Sequence, residues 1–177
     1  ESYHDEMEYL VEHKGRNNLI KNLVNDLEGN TLVLFNYVEK HGEPLYELIN
    51  NTIDPERKLF FVHGGTDVED REEVRQITET ESNAIIVASY GTFSTGINIK
   101  RLHNIVFASP SKSRIRNLQS IGRVLRKGEG KDIATLYDIA DDIGGQNYTL
   151  KHLNERVNIY NDENFKYEVI KVNLRAS

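Results

Sequence analysis

The strongest constraint on this chain is a set of short, uninterrupted apolar runs. TLVLF (31–35), AIIVAS (84–89), NIVFAS (104–109) and IATLYDIA (133–140) lack the polar/apolar alternation of a strand with one face in water. Continuous runs of this kind read as strands covered on both faces. KLFFV (58–62) reads the same way, and YEVIKVN (167–173) as a last, more alternating strand. Between them lie segments of helical period. In 16–28, Leu19, Leu23, Val24 and Leu27 recur at helical spacing until Gly29-Asn30 stops the pattern. Residues 7–13, 43–50, 67–80, 113–126 (capped by Ser113) and 150–160 also read as helices, and 90–98 as a Gly/Ser/Thr loop with room for one helical turn. Buried strands alternating with helices predict an α/β fold, a three-layer α/β/α arrangement around a mostly parallel central sheet. A length of 177 residues suits one domain. Residues 1–177 are read as that domain, with 1–29 as N-terminal helices packed on it.

Ligands in such sheets sit in the loops after the carboxyl ends of the strands. The unusual residues collect there: Asn36-Tyr37, His63-Gly64-Gly65, Ser89 to Asn98 and Ser109 to Ser113. Several chemistries drop out. Cysteine is absent, which removes disulfides, cysteine-ligated zinc and a thiol nucleophile. A hydrophobic fraction of 38% with 28% charged residues excludes a fibre or a disordered tail. No apolar run approaches a membrane span, and the acidic, polar start ESYHDEMEYL is unlike a signal peptide, so the expected setting is a cytoplasm without membrane contact. No GxSxG is present, and the six histidines are scattered without metal spacing. A P-loop fails at its only candidate. Gly130-Lys131 is followed by Asp132, Leu125 stands where the first glycine belongs, and a strand follows rather than precedes it. Asp138, Asp141 and Asp142 cluster after the fifth strand. They admit a metal site, but turn and helix-start roles are commoner for such aspartates.

The net charge of −6 argues at first against a polyanion partner. Its distribution argues for one. Residues 111–131 hold seven Lys/Arg against one Glu, a local +6 that leaves −12 for the rest. A basic patch on an acidic body draws a polyanion to one face, although a solvated helix face is the commoner meaning of a charge run. On a helix, Arg116, Gln119, Arg123 and Arg126 fall on one stripe, beside a stripe of Ile115, Leu118, Ile121 and Leu125. Gly122 among the apolar positions indicates a close approach of backbone to sheet. Two arginines one turn apart with a glutamine suit phosphate oxygens. Spacing alone leaves an exposed basic face equally open.

The residues Gln119, Gly122, Arg123 and Arg126 form Q-x-x-G-R-x-x-R, which resembles the last signature motif of superfamily-two helicases. GTFSTGIN (91–98) resembles the motif that precedes it in that family, and TLVLFNYV resembles the fourth motif. FVHGG with Arg71 resembles the His-Gly…Arg element between them. The order and spacing of all four agree over roughly residues 31–140. The resemblance implies a RecA-like fold and, within it, the second of two RecA-like domains that hold ATP in their cleft. The P-loop lysine and the Mg²⁺-binding acidic motif belong to the first domain and are absent here, so ATP with Mg²⁺ is expected to be bound mainly by that domain and this chain alone to be inactive. Arg126 then corresponds to the arginine finger, Arg123 to a second contact with the γ-phosphate, and Gln119 to the residue that orients them or the attacking water. Gly96 and Asn98 line the cleft near the ribose. Ser89 corresponds to a hydroxyl that contacts a strand phosphate, with a spacing to Gly96 that fits the DNA-remodelling branch of the family. Asn36, His63 and Gly64 offer backbone N–H groups to phosphates, and Lys112 and Arg116 add basic contacts. As turn residues, Ser89 and His63 have a plainer reading. The implied partners are single-stranded or branched DNA and the first RecA-like domain. The implied function is the C-terminal motor domain of an ATP-dependent DNA helicase that remodels branched recombination, repair or replication intermediates. A non-catalytic nucleic-acid or protein-binding module of RecA-like fold is the alternative, and a P-loop domain upstream of Glu1 would decide against it.

Overall fold

The structure, a computed structural model, describes residues 3–93, 101–109, 134–143 and 148–174. In chain order its elements are α1 (Tyr3–Glu12), α2 (Lys14–Asp26), β1 (Thr31–Phe35), α3 (Glu43–Asn50), β2 (Leu59–Val62), α4 (Asp67–Thr80), β3 (Ile85–Ser89), β4 (Asn104–Phe107), β5 (Thr135–Asp142), α5 (Tyr148–Lys151), α6 (Leu153–Asp162) and β6 (Lys166–Asn173). Among the described residues the sheet has six strands in the order β2-β3-β1-β4-β5-β6. Every pairing is parallel, including that of the alternating edge strand β6. The α/β reading of the sequence therefore holds, with the sheet parallel throughout.

The uninterrupted runs are buried on both faces, as their pattern requires. Leu32 and Leu34 of β1 enter one core with Val74 and Ile77 of α4 and Tyr160 of α6. Val33 and Phe35 enter the other, against Leu10 of α1, Ile20 and Val24 of α2, and Leu45 and Ile49 of α3. Each fully buried side chain of this size contributes about 1.5–3 kcal/mol. Local signals set the helix ends. Thr66 and Glu69 form a reciprocal capping box at the start of α4. A π-helical turn, Val38–Gly42, leads into α3. It departs from the sequence reading, and Gly42 lets it lie close against β1. A Cβ at Gly42 would lie 2.7 Å from the Phe35 ring.

At the amino ends of the strands, polar side chains close off the backbone. Asn30 donates to the carbonyls of Glu81 and Arg101 and accepts from the Ala84 N–H. Arg57 donates to the carbonyls of Asn83, Val24 and Gly29. Burial lowers the pKa of its guanidinium from the ordinary value, against the opposing pull of Asp54 and Glu28.

The carboxyl half of β5 corrects the sequence reading of the aspartates. The strand continues to Asp142, so Asp138 and Asp141 are strand residues rather than turn or helix-start residues. Three positions apart on a strand, they face opposite sides of the sheet. Asp138 accepts two hydrogen bonds from Arg156 of α6, at 2.6 and 2.9 Å, and one from the Tyr160 hydroxyl. Asp141 accepts two from Arg16 of α2, at 2.6 and 3.1 Å. Opposite faces also prevent the two carboxylates from sharing one ion.

Arg16 is fully buried, so truncating it strands the Asp141 carboxylate. Arg16→Ala should cost about 3–5 kcal/mol in urea unfolding. The double change Arg16→Met with Asp141→Leu should recover most of that loss, because no buried charge then remains.

Candidate functional site

Parallel pairing brings the carboxyl ends of four strands to one edge of the sheet. Phe35 is in register with Ser89, Val62 with Ala88, and Leu34 with Phe107. Asn36, His63, Ser89 and Ser109 therefore emerge along one line from β2 through β3 and β1 to β4. At the usual strand spacing this line is about 14 Å long.

The four candidate DNA contacts in this part of the chain differ in what they offer. Ser89 is half-buried at the end of β3, and its hydroxyl makes no hydrogen bond among the described residues. Asn36 is exposed, but its backbone N–H donates to Ser109 Oγ at 2.9 Å. That N–H is already used, which leaves the side-chain amide of Asn36 for any phosphate. Gly64 has φ +92°, and a Cβ there would meet no heavy atom within 4 Å. Its backbone is open to close approach. The exposed His63 ring packs on Phe61 at 4.2 Å, and Phe61 stacks on Tyr46 at 5.2 Å. These rings line a groove of about 620 Å³ together with Glu39, Glu43 and Glu47. The carboxylates set a negative potential beside His63, which disfavours phosphate on that flank.

Between these loops lies a buried polar cluster that the sequence reading did not single out. Ser109 and His41 are fully buried and Asn17 nearly so. Ser109 Oγ meets His41 Nδ1, and His41 Nε2 lies 2.9 Å from Asn17 Oδ1. The Asn17 amide nitrogen donates to the Val11 carbonyl. The Tyr90 hydroxyl donates to the Ser109 carbonyl at 2.6 Å, and Arg16 donates to the neighbouring Ala108 carbonyl at 2.6 Å. His41 was visible in the sequence only as a histidine without metal spacing. Nothing local marks it, because its partners are 24 and 68 residues away.

Gly96, Asn98, Lys112, Ser113, Arg116, Gln119, Gly122, Arg123 and Arg126 lie outside the described residues. Among the described residues no group of three or more His, Cys, Asp or Glu side chains could hold a metal ion. Among these residues, too, no helix is long and apolar enough to cross a membrane.

Known proteins match this geometry. Residues 15–128 match the family described as helicase conserved C-terminal domain. The chain is 39% identical over 189 residues to the ATP-dependent DNA helicase uvsW of Enterobacteria phage T4, covering 98% of this chain and 37% of that protein. It thus spans little more than a third of the relative's length. The crystal structure of T4 UvsW superposes with a TM-score of 0.77, over 98% of this chain and 38% of that one. The ATP-dependent Type ISP restriction-modification enzyme LlaBIII bound to DNA superposes at 0.56 with 18% identity, over 92% of this chain and 14% of that one. At that identity the likeness is one of fold.

The left-handed backbone at Gly64 gives a clean test of strain, since space is open around it. Gly64→Ala should destabilise the chain by about 1 kcal/mol in urea unfolding. Gly64→Asn should cost less, because asparagine tolerates this conformation.

Proposed function

Because this chain belongs to the helicase conserved C-terminal domain family, we propose that it is the second motor domain of an ATP-dependent DNA helicase. In the intact protein it faces a first RecA-like domain across an ATP cleft and helps to remodel branched recombination, repair or replication intermediates, in a cytoplasm. The observation that most supports this reading is the order of strand ends. The segments that resemble the fourth helicase motif, the His-Gly element and the start of the next motif leave β1, β2 and β3 along one edge. The Q-x-x-G-R-x-x-R segment follows β4, which ends on the same edge. A non-catalytic binding module has no need of that set together.

In this reading the chain's own residues divide the work. Arg126 and Arg123 place guanidinium groups against the γ-phosphate and offset charge that develops during phosphoryl transfer. Gln119 orients them or the attacking water. Gly96 and Asn98 line the nucleotide side of the cleft. Ser89, the side chain of Asn36 and the open backbone at Gly64 receive the phosphates of a DNA strand, with Lys112 and Arg116 adding charge and His63 at the flank. Bound ATP supplies the transferred phosphoryl group, and its Mg²⁺ is held by the first domain. The chain by itself turns over ATP only at background.

Arg126 carries the sharpest test. In the intact two-domain protein, Arg126→Ala should lower DNA-stimulated turnover by about 10³-fold, while ATP and DNA binding change far less. Arg126→Lys should restore little, because an ammonium lacks the planar fork. The unfolding free energy of this chain should change by no more than about 0.5 kcal/mol. Near-normal turnover in Arg126→Ala would refute the assignment.

DNA binding by the chain should be independent of sequence and should weaken linearly in log affinity against log salt. Removing Lys112 and Arg116 should flatten that slope by about one to two units. Fluorescence anisotropy across a salt series measures it, and a slope of zero would exclude a phosphate-tracking surface.

A further inference from the structure

We propose that Ser109 is a positioning residue that couples the DNA-facing loops to the arginine segment. The inference rests on the function proposed above and concerns groups that function leaves unused. Every polar group of Ser109 engages another segment. Its N–H donates to the Leu34 carbonyl of β1 at 3.3 Å, its hydroxyl accepts the Asn36 N–H, and its carbonyl accepts the Tyr90 hydroxyl, one residue past Ser89. The hydroxyl also meets the His41 ring. The Asn17 amide nitrogen donates to the Val11 carbonyl, so the Asn17 oxygen is the atom turned toward His41 Nε2. Nε2 therefore carries a proton toward Asn17, and Nδ1 meets the Ser109 hydroxyl. The result is a continuous chain: Asn36 N–H to Ser109 Oγ, Ser109 Oγ against His41 Nδ1, and His41 Nε2 to Asn17 Oδ1.

The loops after β1 and β3 carry the candidate DNA contacts Asn36 and Ser89. Both are hydrogen-bonded to Ser109 or stand next to a residue that is, and the basic segment 111–131 begins two residues after it. A shift in either loop on binding DNA must move Ser109 or break a buried hydrogen bond, and an unmade buried bond is strongly disfavoured. Ser109 can thus pass DNA occupancy to the segment that carries Gln119, Arg123 and Arg126.

The experiment compares Ser109→Ala, Tyr90→Phe and Arg126→Ala in the intact two-domain protein. ATP turnover is measured with and without saturating single-stranded oligonucleotide, DNA affinity by anisotropy, and folding by thermal melts. Ser109→Ala is expected to keep basal turnover and DNA affinity within about twofold and to lose DNA stimulation by about tenfold. Tyr90→Phe, which removes one oxygen and keeps the ring packed on Phe107, is expected to lose part of the stimulation without unfolding. It carries the test if Ser109→Ala does not fold. Full stimulation in both variants would overturn the proposal. So would equal losses of basal and stimulated turnover that track the melting temperature. If Arg126→Ala also retains turnover, the functional reading itself fails. If Arg126→Ala abolishes turnover while stimulation survives in the other two, only the role of Ser109 fails.

Discussion

A carboxylate inside a doubly covered parallel sheet survives ionised only with its counter-charge beside it, and β5 carries two. Asp138 and Asp141 point to opposite faces, and each takes an arginine from a different helical layer, Arg156 of α6 and Arg16 of α2. The three layers are thereby pinned to each other through one strand. Such pairs add little net stability over a well-packed apolar substitute, but removing one partner is expensive. Their effect is to fix which helix lies where. Arg16 extends that effect to the site edge, because it also holds the Ala108 carbonyl, immediately before Ser109.

The site edge inherits this rigidity. Loops after parallel strands have no neighbouring strand to satisfy their polar groups, so those groups need side-chain partners. Here one serine ties its own loop to those after β1 and β3, and a buried histidine completes the chain to α2. The loops that carry Asn36 and Ser89 are consequently set relative to the body of the domain rather than left to adapt. A buried network of this kind is costly to satisfy only in part, which makes it a suitable place for two discrete arrangements.

The strands and their faces were legible because TLVLF, AIIVAS and NIVFAS have no other economical interpretation. α4 was legible to the residue, since Thr66 and Glu69 mark its start by local chemistry. The end of β5 was not. Two aspartates within four residues read as a turn, and what keeps them in a strand is a pair of arginines 125 and 18 residues distant. The π-helical turn before α3 was missed for a related reason: it sets Gly42 against the Phe35 ring, a contact that spacing does not show. At the site, the motif residues could be read from spacing, but the use of the Asn36 N–H by Ser109 could not, because the bond spans 73 residues. Periodicity reports burial, whereas long-range polar partnership leaves no local trace.

Charge along the edge adds a direction to the proposed track. At one end, beside β2, three glutamates line the groove at His63 without an ion pair among the described residues. At the other end β4 leads, two residues after Ser109, into the segment with seven basic residues and one acidic. In the proposed function, a phosphate backbone crossing this edge is repelled at the β2 end by these carboxylates. Over roughly 14 Å, nearly two screening lengths at physiological salt, that repulsion fades toward β4. It acts on position and orientation more than on affinity. It favours contact at Ser89 and Asn36 on the middle strands over contact at His63. In the proposed function an acidic body is then no obstacle to a polyanion; its carboxylates turn the strand toward Asn36, whose N–H Ser109 holds.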